Sequence, residues 1–209
     1  MLPLAADGVQ YPDSIPQGYK LVGEFDPRLL ALQENFIRQL LTHTNPYTGK
    51  KYGEDPCVAM MEINNESSLF FMGHWTTWKL RSPYHRRLLQ NLYNEWLLKK
   101  YPERGMLEEA WNPRAGENGK TGLRSEEHPK DSTVVPIFDL TEESTELPLL
   151  TRARIRDNMR FYYDIHLDYF RRMESVIREC GFQGLVAGSN HWTDVAADVY
   201  VNAQMDYMD

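Results

Sequence analysis

The strongest periodicity in this chain of 209 residues runs from Arg152 to Cys180, where Ile155, Met159, Tyr162, His166, Tyr169, Met173, Val176 and Cys180 share one helical face. Such a stripe predicts one long amphipathic helix, and Gly181 stands where a left-handed residue stops it. Two further stretches carry a cap, a proline and the same spacing. Asp26-Pro27 opens a helix with Leu29, Leu30, Phe36, Ile37, Leu40 and Leu41 on its apolar side, running to about Thr42. Ser82-Pro83 opens another, with Leu88, Leu89, Leu92, Tyr93, Trp96 and Leu97, ending near Lys100.

Between these helices lie short apolar runs of strand length. Cys57 to Ile63 reads as a buried strand that ends abruptly in Asn64-Asn65-Glu66. Gly184 to Ser189 reads as a second, followed by Asn190-His191-Trp192 and a helical stretch near Asp194 to Asn202, and Met205 to Asp209 opens a third. Residues 1–25 are punctuated by Pro3, Gly8, Pro12, Pro16, Gly18 and Gly23, which is loop chemistry. Residues 101–150 are rich in Gly, Pro and charge and read as an insertion on the surface, with a short helix at Met106 to Trp111 and solvated pairs Glu126-Glu127 and Glu142-Glu143. Alternating helices and strands predict an α/β fold of parallel strands, in one domain over residues 1–209.

Charge and cysteines narrow the partners. The net charge of −7 is spread over mixed-sign segments with no basic stripe, which disfavours nucleic acid. Cys57 and Cys180 have no metal-ligand spacing and read as two buried thiols; His74, His85 and His128 have no spaced partners, so neither a metal nor a cofactor is expected. His166, on the apolar face of the long helix, reads as a core histidine. No run approaches the roughly 20 apolar residues of a membrane span, and the first residues carry no signal-peptide pattern. The compartment is therefore not set by this sequence, and a parent protein that is secreted or periplasmic stays compatible with it.

Ligands of parallel α/β folds bind at the carboxyl ends of strands, which predicts that Asn64, Asn65 and Glu66 lie beside Asn190, His191 and Trp192. A glutamate there, among apolar walls, is suited to donate a proton, and the preceding asparagine to bind a sugar hydroxyl. Trp75, Trp78 and Trp192 offer flat faces to sugar C–H groups. Glycosidic cleavage needs these elements together with a second carboxylate. Glu62 is too far along the same strand to be that carboxylate, roughly 13 Å by strand rise, and reads as structural.

Val58-Ala59-Met60-Met61-Glu62-Ile63-Asn64-Asn65-Glu66-Ser67-Ser68-Leu69 resembles the fourth-strand segment of the clan A glycoside hydrolases, retaining (β/α)8-barrel enzymes that include cellulases, mannanases and β-galactosidases. Phe25-Asp26-Pro27-Arg28 and Asn45-Pro46-Tyr47-Thr48-Gly49 resemble a bacterial, cellulase-like branch. The resemblance implies a partial (β/α)8 barrel, from the third helix to the start of the sixth strand. It implies Glu66 as general acid/base, with Asn65, Asn190, His191, Trp192 and Trp75 as carbohydrate-binding residues and the nucleophile outside this chain. On that reading the fragment alone is inert, and its open barrel edges favour self-association. The alternative is a carbohydrate-binding or scaffold domain without chemistry.

Overall fold

The computed structural model describes residues 5–15, 20–71, 80–140, 144–190 and 196–208, residue 71 by its backbone alone. Five α-helices and two strands appear among them: α1 (Pro27–Thr42), β1 (Met60–Asn65), α2 (Pro83–Lys100), α3 (Arg104–Trp111), α4 (Arg152–Glu179), β2 (Leu185–Asn190) and α5 (Ala196–Asn202). No helix among the described residues is long and apolar enough to cross a membrane. The chain divides into two compact units. The first comprises the described residues of Met1–Val9, Lys20–Leu69 and Tyr163–Asp209, the second those of Gln10–Tyr19 and Phe70–Tyr162.

In the first unit the helix signals act as the sequence predicts. The Asp26 carboxylate accepts from the Arg28 and Leu29 amides, both at 2.9 Å, and Pro27 occupies the first helical position. Gly181, at φ +93°, ends α4 in the left-handed conformation. Leu41 of α1 packs with Ile177, Cys180, Phe182 and Val186, and Met61 and Ile63 of β1 close over them. Phe36 and Leu40, expected in the apolar stripe of α1, are instead exposed. Cys57 is also exposed and lies before β1, whereas Cys180 is buried.

The expected partial barrel is not the fold. Among the described residues the protein is mostly helical, and the two strands form one small parallel sheet with Met60 opposite Leu185 and Asn65 opposite Asn190. Two features of the outer edge of β2 explain this. The Asp206 carboxylate accepts from the Val186 amide at 3.0 Å while the Asp206 amide donates to the Val186 carbonyl, and Asn202 Oδ1 accepts from the Ser189 amide at 2.9 Å. These groups occupy the edge that a further strand would need. Residues 205–208, expected to open that strand, form a turn and an irregular end. Strand β1, expected to be buried, contains only exposed and half-buried positions, whereas a barrel strand is covered on both faces.

The second unit contains α2, α3 and α4 as far as Tyr162. The segment at 101–150, expected as a surface insertion, supplies much of its core: Leu107, Trp111, Val134, Ile137 and Leu150 are all buried. Glu127, expected on a solvated face, is buried, and its two carboxylate oxygens grip the Arg154 guanidinium at 2.6 Å each. Buried Asp157 accepts from Lys100 Nζ at 2.7 Å, the Tyr101 hydroxyl at 2.8 Å and the Trp111 indole at 3.0 Å. Part of the charge of this segment is therefore paired inside the fold. Glu142-Glu143 lie outside the described residues.

Candidate functional site

The parallel register brings Asn65 and Asn190 side by side at the carboxyl ends of β1 and β2, as ligand-binding residues of a parallel sheet are placed. Glu66 follows immediately. Its amide donates to both the backbone carbonyl of Asn190 at 3.2 Å and that residue's side-chain oxygen at 3.0 Å. Its carboxylate is half-exposed, 3.8 Å from Lys20 Nζ. The carboxylate of Glu62 accepts from the Asn190 amide at 2.8 Å, so it braces the end of β2. Trp75, His191 and Trp192, expected in the same pocket, lie outside the described residues, as do Trp78 and His74.

Beneath Glu66 the chain builds a polar cluster that the sequence alone does not announce. Glu66 adopts φ +48°, a left-handed conformation that costs a non-glycine residue roughly 1–2 kcal/mol. The next two residues, Ser67 and Ser68, are buried. Ser67 Oγ donates to Glu24 Oε1 at 2.8 Å, and Asp198 is fully buried. His166, with no exposure, lies between the same two carboxylates: Nδ1 against Glu24 Oε2 and Nε2 at 3.5 Å from Asp198 Oδ1. Ser67, Glu24, His166 and Asp198 thus follow one another in a buried cluster.

Each member comes from a different part of the first unit. Glu24 ends a 3-10 turn at Val22–Glu24, the serines follow β1, His166 sits in the middle of α4 and Asp198 in the first turn of α5. Gly188 of β2 lets α4 and α5 approach: a Cβ there would meet the Phe170 ring at 2.3 Å and Asn202 Oδ1 at 2.6 Å. The Phe170 ring in turn covers His166, with centroids 4.4 Å apart.

The cluster's electrostatics follow from burial and pairing. Burial pushes the Asp198 carboxyl up to about 6; His166 and the Ser68 hydroxyl pull it down, while the charge of Glu24 adds to the rise. Burial by itself would lower the His166 imidazole, but the charge and hydrogen bond of Glu24, with the charge of Asp198, outweigh it and raise the pKa above its ordinary value. The order of groups is serine, carboxylate, imidazole, carboxylate. Neither serine hydroxyl is bonded to the imidazole, so the cluster is not a nucleophile paired with its base. Among the described residues no group of three or more His, Cys, Asp or Glu side chains is arranged to hold a metal ion.

The sequence signal that could have found the cluster is His166 itself: an ionisable group in a buried stripe needs partners. Glu24 lies 142 positions away, however, and no local pattern connects them. Comparison of the chain with protein-family models, with curated proteins and with solved structures gave no match in any of the three.

Proposed function

We propose that the chain carries the general acid/base of a retaining glycoside hydrolase acting on an oligo- or polysaccharide, with Glu66 as that acid and Asn65 and Asn190 as hydroxyl-binding residues. The observation that carries this reading is the placement of a half-exposed glutamate directly after two paired asparagines at the carboxyl ends of parallel strands. A carboxyl group there can protonate a leaving glycosidic oxygen while the amides orient the adjoining sugar hydroxyls. Glu62 is engaged with the Asn190 amide and is not assigned as the second carboxylate. The test is Glu66→Gln in the natural gene product, assayed on two glycosides. Loss of an acid catalyst lowers hydrolysis of an unactivated glycoside by about 10²–10⁴-fold and spares a substrate whose leaving group needs no proton. Equal loss on both substrates refutes the assignment.

A second reading, saccharide binding without chemistry, is favoured by one feature of the second unit. Tyr11 and Tyr84 stand with ring centroids 5.7 Å apart, 61% and 38% exposed, and line a cleft of about 510 Å³ with Pro83, Arg87, Leu88 and Asn91. Aromatic faces beside amide and guanidinium donors suit a sugar ring. On this reading Tyr84→Ala abolishes saccharide binding and Glu66→Gln leaves it intact; hydrolysis that falls on Glu66→Gln and survives Tyr84→Ala selects the first reading.

A further inference from the structure

The cleft of the second unit holds more than two aromatic rings. Tyr84, Arg87, Leu88 and Asn91 fall at helical spacing on one face of α2, and Tyr11 meets Tyr84 from the turn before Pro12. Tyr11 adopts φ +49°, a left-handed conformation that a bulky residue rarely takes, so its ring is kept at the cleft against a backbone cost.

The arginine is fixed in place with donors to spare. Arg87 Nη1 donates to the Ser132 carbonyl at 3.1 Å, and Gln90 Nε2 donates to the same oxygen at 2.7 Å. That bond takes one terminal nitrogen and leaves the Nε–Nη2 edge, whose two N–H groups are parallel. No carboxylate pairs with Arg87 among the described residues. Arg86 beside it is engaged otherwise, 4.0 Å from the centre of the Phe138 ring and donating to the Leu80 carbonyl at 3.2 Å. The Asn91 side-chain amide and both tyrosine hydroxyls likewise make no hydrogen bond among the described residues.

Charge at the cleft favours an anion. The chain has 30 Asp and Glu residues and a net charge of −7, yet residues 67–94 contain none, and Lys79, Arg81, Arg86 and Arg87 all fall there. No carboxylate lines the cleft among the described residues.

We propose that this cleft takes an acidic saccharide: a hexuronate unit whose ring lies against Tyr11 and Tyr84, whose carboxylate is gripped by the Nε–Nη2 edge of Arg87, and whose hydroxyls meet the Asn91 amide. The proposal rests on the reading of the cleft as a sugar site and adds the charge that it selects. A carboxylate is planar and ionised at neutral pH, so it matches two parallel N–H groups in shape and sign. A neutral hexose offers the same C–H face and hydroxyls to the tyrosines and Asn91 but leaves the arginine edge in water.

The test is isothermal titration calorimetry of the whole chain with trimers of galacturonate and of mannuronate, each as the free acid and as its methyl ester, and with 4-hydroxybenzoate as a carboxylate without a sugar ring. At least one acid is expected to bind about 10–100-fold more tightly than its ester. Arg87→Gln should abolish that preference and leave the ester's affinity unchanged, which also shows that the variant is folded. Arg87→Lys keeps the charge without the fork and should retain only a minor part of the preference. Acid and ester that bind alike, or a preference that survives Arg87→Gln, overturn the charge selection and leave the saccharide reading in place. 4-Hydroxybenzoate that matches the acid in affinity overturns the assignment of a sugar ring. Absence of binding by every trimer refutes the saccharide reading itself, and this inference with it.

Discussion

Replacing Asp198 by asparagine removes an ionisation that the folded protein resists. The carboxyl rises from its ordinary 3.8 to about 6 on folding, because burial penalises its charge more than His166 and Ser68 support it. Each tenfold change in proton affinity is worth about 1.4 kcal/mol, so the rise corresponds to about 3 kcal/mol. The sign follows from which state binds the proton better. The folded state does, so this contribution to stability is fully present below 3.8 and is lost as pH rises through about 6. Asparagine has nearly the shape of the protonated carboxyl and cannot ionise. Wild type and Asp198→Asn are therefore expected to unfold alike near pH 4, and by pH 7.5 the variant should be the more stable by about 3 kcal/mol, or roughly 6–12 °C in Tm. Urea and thermal unfolding of both proteins at matched pH values between 4 and 7.5 measures the difference directly. A stability difference that stays constant over this range, or that favours wild type increasingly as pH rises, refutes the account of Asp198.

Other perturbations follow from single contacts. Glu127→Gln leaves the buried Arg154 guanidinium without its carboxylate and should cost about 3–5 kcal/mol in urea unfolding; the double replacement of Glu127 and Arg154 by methionine should recover most of the loss. Asp206→Ala strips the Val186 amide and Arg178 of a shared acceptor and should cost about 1–3 kcal/mol. The same variant bares the outer edge of β2, so light scattering is expected to detect association that wild type lacks at equal concentration.

What the sequence made legible was local. Asp26-Pro27, Ser82-Pro83 and Gly181 mark where α1 and α2 begin and α4 ends, because caps and breakers act through neighbouring backbone groups. The pairing of Asn65 with Asn190 was also within reach, since both end an apolar run. The number of strands was not, because it turned on Asp206 and Asn202 satisfying amides of β2, a long-range choice with no periodic signature. For the same reason Glu127 passed for a surface residue until Arg154 was placed against it, and His166 passed for an isolated core histidine. Of the expected site, Asn65, Glu66 and Asn190 converge, and the support beneath Glu66 comes from residues that only the fold brings together.

The parallel register also sets an order in time. Met60 must wait for Leu185, about 125 positions later, before its strand has a partner. At about 5–20 residues per second of synthesis, that interval is roughly 6–25 s. During it, the apolar segment from Met60 to Ile63 stands as an unpaired strand on the nascent chain, the kind of surface that recruits holdases or mispairs with a neighbour on the same messenger. The site at Glu66 is correspondingly late to form, since its amide, the cluster beneath it and the edge guard at Asp206 all wait for partners 124 or more positions after Glu66.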